Sequence, residues 1–284
     1  MIKLKISFVG AGKVGFTLGK YFKLNGLHIE GFFSNNTESA IDASNFIGCS
    51  YFLSLDELVE NSEIIFITTN DDSIIEVWKK LKHLNIEDKI ICHCSGSLSS
   101  EIFYDINNSG AYQYSIHPMY PFKDKYNSYK HFKTAYFSIE GHPKHFHYLK
   151  GLLESLGNSV LSISKESKGE YHLANVMVSN LVLSLINIAV ETLSNCGVDS
   201  ETALKAMAPL ITSNVDNILS HSFEDAITGP VVRGDVNTLN KHIESISSDY
   251  KELYKTLSLN LLKISKNKNS KNDYSHIKRF LENI

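Results

Sequence analysis

Gly10-Ala11-Gly12-Lys13-Val14-Gly15 spaces three glycines as GxGxxG, straight after the β-rich run Lys5 to Val9 and ahead of apolar residues at Val14, Leu18, Tyr21 and Phe22. A strand, this turn and a helix in one βαβ unit make a phosphate-binding device. The first glycine permits the tight turn and the second lets the backbone approach a pyrophosphate. The third lets helix and strand pack closely, and the unpaired N–H groups of the helix N-terminus face the phosphates. The motif predicts a dinucleotide held at Gly10, Ala11, Gly12, Lys13, Val14 and Gly15; the alternative is a glycine turn that binds nothing. About 20 residues on, where an NAD site carries an acid for the ribose 2′-hydroxyl, the chain has Ser34, then Asn35 and Asn36. No carboxylate stands there to repel a 2′-phosphate, and three donors are available to it. NADP(H) is the expected cofactor, although no Arg completes the site and Glu30 falls mid-strand.

A second group of chemically capable residues opens the segment Lys168 to Cys196, which reads as one long helix. Lys168, His172 and Asn180 are expected along one face of it. A polar stripe on an otherwise apolar helix needs hydrogen-bond partners. These are a substrate carbonyl or carboxylate in one reading and neighbouring backbone in the other. A His near its reference pKa of about 6.5 suits proton donation near neutral pH.

The elements that must position these groups follow from the pattern of the chain. Lys5–Val9, His28–Phe33, Ile64–Thr68, Lys89–Cys94, Tyr112–His117, Ala135–Ile139 and Ser159–Ser164 read as strands alternating with helical stretches, the signature of a parallel sheet wound with helices. The fold class is α/β, with a Rossmann doubly wound sheet over residues 1–164 and an all-helical domain over 165–284. Ligands of such sheets bind beyond the carboxyl ends of the strands. Thr69-Asn70-Asp71, Ser95-Gly96-Ser97 and His117-Pro118-Met119 lie there, with Asn70 and Ser95 expected at the cofactor. Thr228-Gly229-Pro230 leads through a turn to Arg233-Gly234-Asp235, and Lys263 to Ile284 reads as a solvated tail with one short helix.

Composition removes several function classes. A formal net charge of -3 gives no electrostatic reason to expect nucleic acid. Four irregularly placed cysteines build no disulfide framework and point to a reducing compartment, so a cytoplasmic protein is expected. Cys92-His93-Cys94 is half of a metal site without its other half, so no metal is expected. The N-terminus shows no leader pattern. Leu181 to Val190 is about half a membrane span in length and reads as a helix that must be enclosed, most simply by a homodimer.

Five segments in order carry a resemblance across nearly the whole chain: GAGKVG at Gly10–Gly15, HCSGS at His93–Ser97, SIHPM at Ser115–Met119, YHLANVMVSN at Tyr171–Asn180 and TGPVVRGD at Thr228–Asp235. The chain resembles the Rossmann-like reductases related to 6-phosphogluconate dehydrogenase, pyrroline-5-carboxylate reductase and ketopantoate reductase. More narrowly, it resembles a branch whose C-terminal domain was long labelled as of unknown function and which includes an alternative form of ketopantoate reductase. The resemblance implies NADPH-dependent reduction of a small 2-oxo acid, with 2-ketopantoate the foremost candidate and pantothenate synthesis the context. It places His172 where ketopantoate reductases carry a proton-donating Lys, and Asn180 where they carry a substrate-binding Asn, with Lys168 an alternative donor. Ser95 and His117 would border the nicotinamide, His117 within the catalytic group. Ser97, Asn175, Arg233 and Asp235 would contact substrate, Arg233 as the candidate for a carboxylate. SIHPM is also similar to the HPM stretch of prephenate and arogenate dehydrogenases, which leaves that chemistry, and imine reduction, as alternatives. A non-catalytic NADP(H) sensor is the alternative of another class.

Overall fold

A computed structural model describes residues 4–284; Met1 to Lys3, on which the reading of the N-terminus partly rests, lie outside the described residues. Residues up to Leu181 form one compact unit and Val182–Ile284 a second.

The first unit is built on eight strands: β1 (Lys5–Val9), β2 (His28–Phe33), β3 (Ser50–Tyr51), β4 (Ile64–Ile67), β5 (Ile90–His93), β6 (Tyr112–Met119), β7 (Tyr136–Gly141) and β8 (Ser159–Ser162). They lie in the order β3-β2-β1-β4-β5-β6-β7-β8. Helices α1 (Lys13–Leu24), α2 (Thr37–Ile47), α3 (Leu55–Glu60), α4 (Asp71–Leu81) and α5 (Pro143–Ser155) connect them. Successive strand residues face opposite sides, and the core divides accordingly. Phe8, Phe66 and Cys92 join Phe16, Phe22 and Phe32 on one side of the sheet. Val9, Ile65, Ile67 and Ile91 join Ile74 and Trp78 on the other. Every residue of β4 and β5 is buried, because helices cover both faces.

Seven strands stand where the sequence places them, within two residues at each end, and the short β3 is an addition. The parallel sheet carries one antiparallel pair, since β7 runs antiparallel to β6, with His117 opposite Ser138. Between them the chain forms a 3₁₀ segment at Ser128–Thr134 and no α-helix, so it turns back without the helix that usually carries a parallel crossover. Helix α5 then provides such a crossover, and β8 is parallel to β7.

The long helix begins as α6 (Lys168–Val176), passes through a π-turn at Met177–Leu181 and continues as α7 (Val182–Ser194). The division between the units falls inside it, 17 residues beyond the boundary expected at Ser164, because Lys168 is fixed onto the sheet. The expectation that this helix is enclosed does not hold within one chain: Val178 is 76% exposed and Leu183 64%. Helix Lys168–Ser194 is long and apolar enough to cross a membrane by length and composition.

The second unit continues with α8 (Ser200–Ser220), α9 (Phe223–Ala226), α10 (Pro230–Arg233), α11 (Val236–Ser245), α12 (Lys251–Lys268) and α13 (Ser275–Glu282). Val231, Leu239, Leu262, Tyr274, Ile277 and Leu281 form its core. The supposed solvated tail is therefore structural. Ile277 and Leu281 recur at helical spacing and bury fully, and Tyr274 donates to Val232 O at 2.9 Å. The surrounding Lys, Asn and Ser residues conceal that short apolar stripe in the composition.

Candidate active site

Strands β1 and β4 are neighbours although not consecutive, so the sheet reverses its winding between them, and a ligand crevice is expected at that point. Gly10 leaves β1 at φ +108°, and a Cβ on it would stand 3.0 Å from Thr68 C and Thr69 N. A Cβ on Gly15 would stand 2.5 Å from Gly10 O and 2.8 Å from Thr68 Oγ1, which itself donates to Gly10 O at 2.8 Å. These two glycines hold the turn together. Gly12 differs, because nothing lies within 4 Å of where its Cβ would be. It caps α1, whose first turn has no acidic residue and no side-chain cap, so the helix N-terminus is open to an anion. The residues fit a pyrophosphate, with the one glycine that needs free space facing it.

A hollow of about 160 Å³ touches Gly10, Ser34, Asn35, Thr69, Glu76 and Lys80. Thr69 was among the strand-end candidates, whereas Glu76 and Lys80 escaped the sequence reading because they lie on α4, away from the motif. Asn36 caps α2, accepting from Ser39 N at 3.2 Å, and Asn70 caps α4, accepting from Ser73 N at 3.2 Å, so each offers a ligand only its amide. Glu30 is engaged with His28 at 3.0 Å and Lys5 at 3.5 Å. A hollow of about 720 Å³ between the segments 82–87 and 105–110 lies at the amino ends of β5 and β6. That is the edge away from the one where such sheets bind ligands.

Beyond β4, β5 and β6 the side chains form a connected group. Asp71 Oδ2 accepts from Ser95 Oγ and from Ser97 Oγ, each at 2.8 Å. Both hydroxyls thus donate within the site and shape the loop. Lys168 is 2% exposed, and its Nζ donates to Ser95 O at 3.0 Å and to Ser115 Oγ at 2.8 Å. Burial draws its pKa down to about 8, against the opposing pull of Glu140 and Asp71. One turn further, His172 Nδ1 is buried with no hydrogen-bond partner. A Cβ on Gly96 would stand 2.9 Å from that atom and 3.0 Å from His117 Nε2. The two imidazoles therefore converge on the bare face of Gly96. His117 Nδ1 lies 2.7 Å from Tyr171 Oη, and burial, reinforced by the charges of Lys168 and His172, pushes the His117 pKa down to about 4. His117 is neutral at pH 7. His93 is buried, meets Ser99 O at 3.2 Å and is likewise pushed down to about 4 by burial. Its neighbours Cys92 and Cys94 have raised thiol pKa values, that of Cys94 about 12, and all four cysteines are free.

With this geometry in place, comparison with known proteins divides the chain in two. Residues 1–118 match the Rossmann-like domain family, and residues 135–261 match the domain of unknown function DUF2520. No curated relative matches the sequence. Among solved structures, protein TM1727 from Thermotoga maritima is similar at 27% identity and TM-score 0.73, over 92% of this chain and 98% of that one. BF3122 from Bacteroides fragilis, a provisionally assigned NADP oxidoreductase, is similar at 23% and 0.70, again over 92% and 98%. A pyrroline carboxylate reductase from Plasmodium falciparum with NADP bound is similar at 15% and 0.59, over 99% of each chain. The last two likenesses are of fold.

The Rossmann-like match contributes the glycine turn, Ser95, Ser97 and His117, and the DUF2520 match contributes Lys168, His172, Asn175, Asn180, Arg233 and Asp235. Lys168, His172, His117 and the Ser95 loop come together. Asn175 donates to Tyr171 O at 2.8 Å along its own helix, and Asn180 is exposed and accepts from Ser179 Oγ at 2.9 Å. Eight residues of ideal helix leave Asn180 about 80° round the axis from His172. The wider π-turn at Met177–Leu181 takes back part of that angle. Arg233 ends α10. Asp235 caps α11 with both oxygens on Thr238, at 3.1 Å to N and 2.6 Å to Oγ1. The sequence reading missed Tyr171 as a functional residue, although it stands inside the YHLAN segment, and missed Asp71 and Ser115 as partners.

Proposed function

We propose that this protein is an NADPH-dependent reductase of a small 2-oxo acid, with 2-ketopantoate as substrate. The observation that carries the reading is the buried, unpartnered His172 Nδ1 beside Gly96, at the same strand-end edge as the glycine turn. A buried polar atom without a partner is costly in a folded protein, and a substrate oxygen would supply the missing bond. Bound NADPH supplies the hydride. The amides at the start of α1 would hold its pyrophosphate, and Ser34 and Asn35 would take its 2′-phosphate. As the carbonyl carbon takes the hydride, His172 gives one proton to the carbonyl oxygen, so the product is the alcohol. Two of the three N–H donors of Lys168 are engaged with Ser95 O and Ser115 Oγ, whereas Nδ1 of His172 has no partner, which favours His172 as donor. Arg233 is the residue assigned to the substrate carboxylate.

A second reading, favoured by the fold likeness to pyrroline carboxylate reductase, is reduction of a cyclic imine. An imine that arrives protonated needs no acid in the hydride step, so His172 would then orient the substrate only. NADPH oxidation with 2-ketopantoate, other 2-oxo acids and pyrroline-5-carboxylate in parallel separates the two, and the reverse reaction on prephenate and arogenate covers the dehydrogenase alternative. Binding of NADPH with no turnover of any of them would make the protein a sensor.

We further propose a homodimer built on the exposed apolar residues that run from Met177 to Leu185. Such a run is too apolar to face water. Sedimentation at micromolar concentration is expected to give the dimer mass; a monomer would contradict this.

A further inference from the structure

His117 reaches the site from β6 and Tyr171 from α6, and 54 residues separate them in the chain. Their rings meet edge to face with centroids 5.7 Å apart, and the phenol oxygen lies 2.7 Å from Nδ1. The other ring nitrogen, Nε2, has no hydrogen-bond partner among the described residues and faces the space over Gly96 that His172 Nδ1 also faces. We propose that Tyr171 is a positioning residue whose hydroxyl donates to His117 Nδ1 and so fixes the tautomer that carries its proton on Nε2.

The chemistry of the two groups supports that direction. Burial raises the Tyr171 pKa and lowers that of His117, so a neutral phenol meets a neutral imidazole. A neutral imidazole has one donor and one acceptor nitrogen, and the group bound to one nitrogen decides the character of the other. With Nδ1 accepting, Nε2–H and the acid on His172 approach the same point as two donors. Two donors converging on one point suit an oxygen on which negative charge develops. In the other tautomer a lone pair would face that oxygen and repel it. Gly96 leaves the space open, since any side chain there would fall within 3.0 Å of both rings.

The inference rests on the reductase reading for its catalytic consequence, but the tautomer is measurable without turnover. In ¹⁵N–¹H correlation spectra at pH 7, the His117 proton is expected on Nε2 in the unmodified protein and distributed over both nitrogens in Tyr171→Phe. Tyr171→Phe should lower kcat about tenfold, the scale of one hydrogen bond, with KM and NADPH affinity nearly unchanged. Gln places an amide N–H near the position of Nε2 and has no tautomer. Within His117→Gln, adding Tyr171→Phe should therefore change kcat little. A proton on Nδ1 in the unmodified protein, or an equal loss from Tyr171→Phe in both backgrounds, would overturn the inference. If no carbonyl or imine is reduced, the reductase reading fails, and the spectra still decide the tautomer.

Discussion

Lys168 Nζ is bonded to Ser115 Oγ at 2.8 Å, one helical turn before a His172 whose Nδ1 has no partner. One of the two candidate proton donors on α6 is thereby engaged in joining helix to sheet, and the other is available. The same bond explains why the start of the long helix belongs with the sheet.

Lys168→Met should accordingly act on stability. It removes the donor to the buried Ser115 Oγ and leaves Ser95 O with only the longer bond from Ser115 Oγ at 3.4 Å, a loss of about 1–3 kcal/mol, and thermal unfolding should report it as a lower Tm. His172→Ala should leave Tm much closer to that of the unmodified protein. If Lys168→Met folds as stably as the parent and loses all turnover, Lys168 is the acid.

The three glycines of the turn should separate cleanly. Gly15→Ala puts a methyl 2.5 Å from Gly10 O and should lower Tm by several degrees or prevent folding. Gly12→Ala meets no protein atom within 4 Å and has an ordinary extended backbone, so Tm should hold while NADPH affinity falls about tenfold or more. Calorimetry showing unchanged NADPH binding by Gly12→Ala would remove the pyrophosphate from that turn.

His93 and His117 make stability depend on acid. Each has a folded-state pKa of about 4, below the ordinary 6.5, because burial disfavours the charged ring. Between those values the unfolded chain binds protons that the folded chain does not, so stability is complete above about 6.5 and declines as pH falls toward 4. Urea midpoints from pH 7 to 4.5 should fall steadily, and His117→Gln should shallow the slope. A flat profile would mean that the rings are not buried as described.

Much of the fold is legible in the sequence because parallel strands buried on both faces are nearly continuous apolar runs. Ile64–Ile67 and Ile90–His93 are examples, and GxGxxG fixes where the first βαβ unit begins. The antiparallel β6–β7 pair was not legible, because strand direction depends on the path of the intervening chain and Met119 to Tyr136 carries no turn signature that decides it. Helix α13 was hidden by polar composition, although Ile277 and Leu281 carry the period. Lys168 and His172 were found together by spacing, but spacing cannot tell which of two polar groups is buried against a partner. The contact of Tyr171 with His117 and that of Asp71 with Ser95 join distant segments, so no local pattern announces them.

The most direct test of the account is the turnover of NADPH with 2-ketopantoate by the unmodified protein and by His172→Ala. The account predicts reduction of 2-ketopantoate by the unmodified protein, and a kcat lowered by about 10²- to 10⁴-fold in His172→Ala, with NADPH affinity intact. No NADPH oxidation with any 2-oxo acid, or a kcat unchanged by His172→Ala, would contradict it.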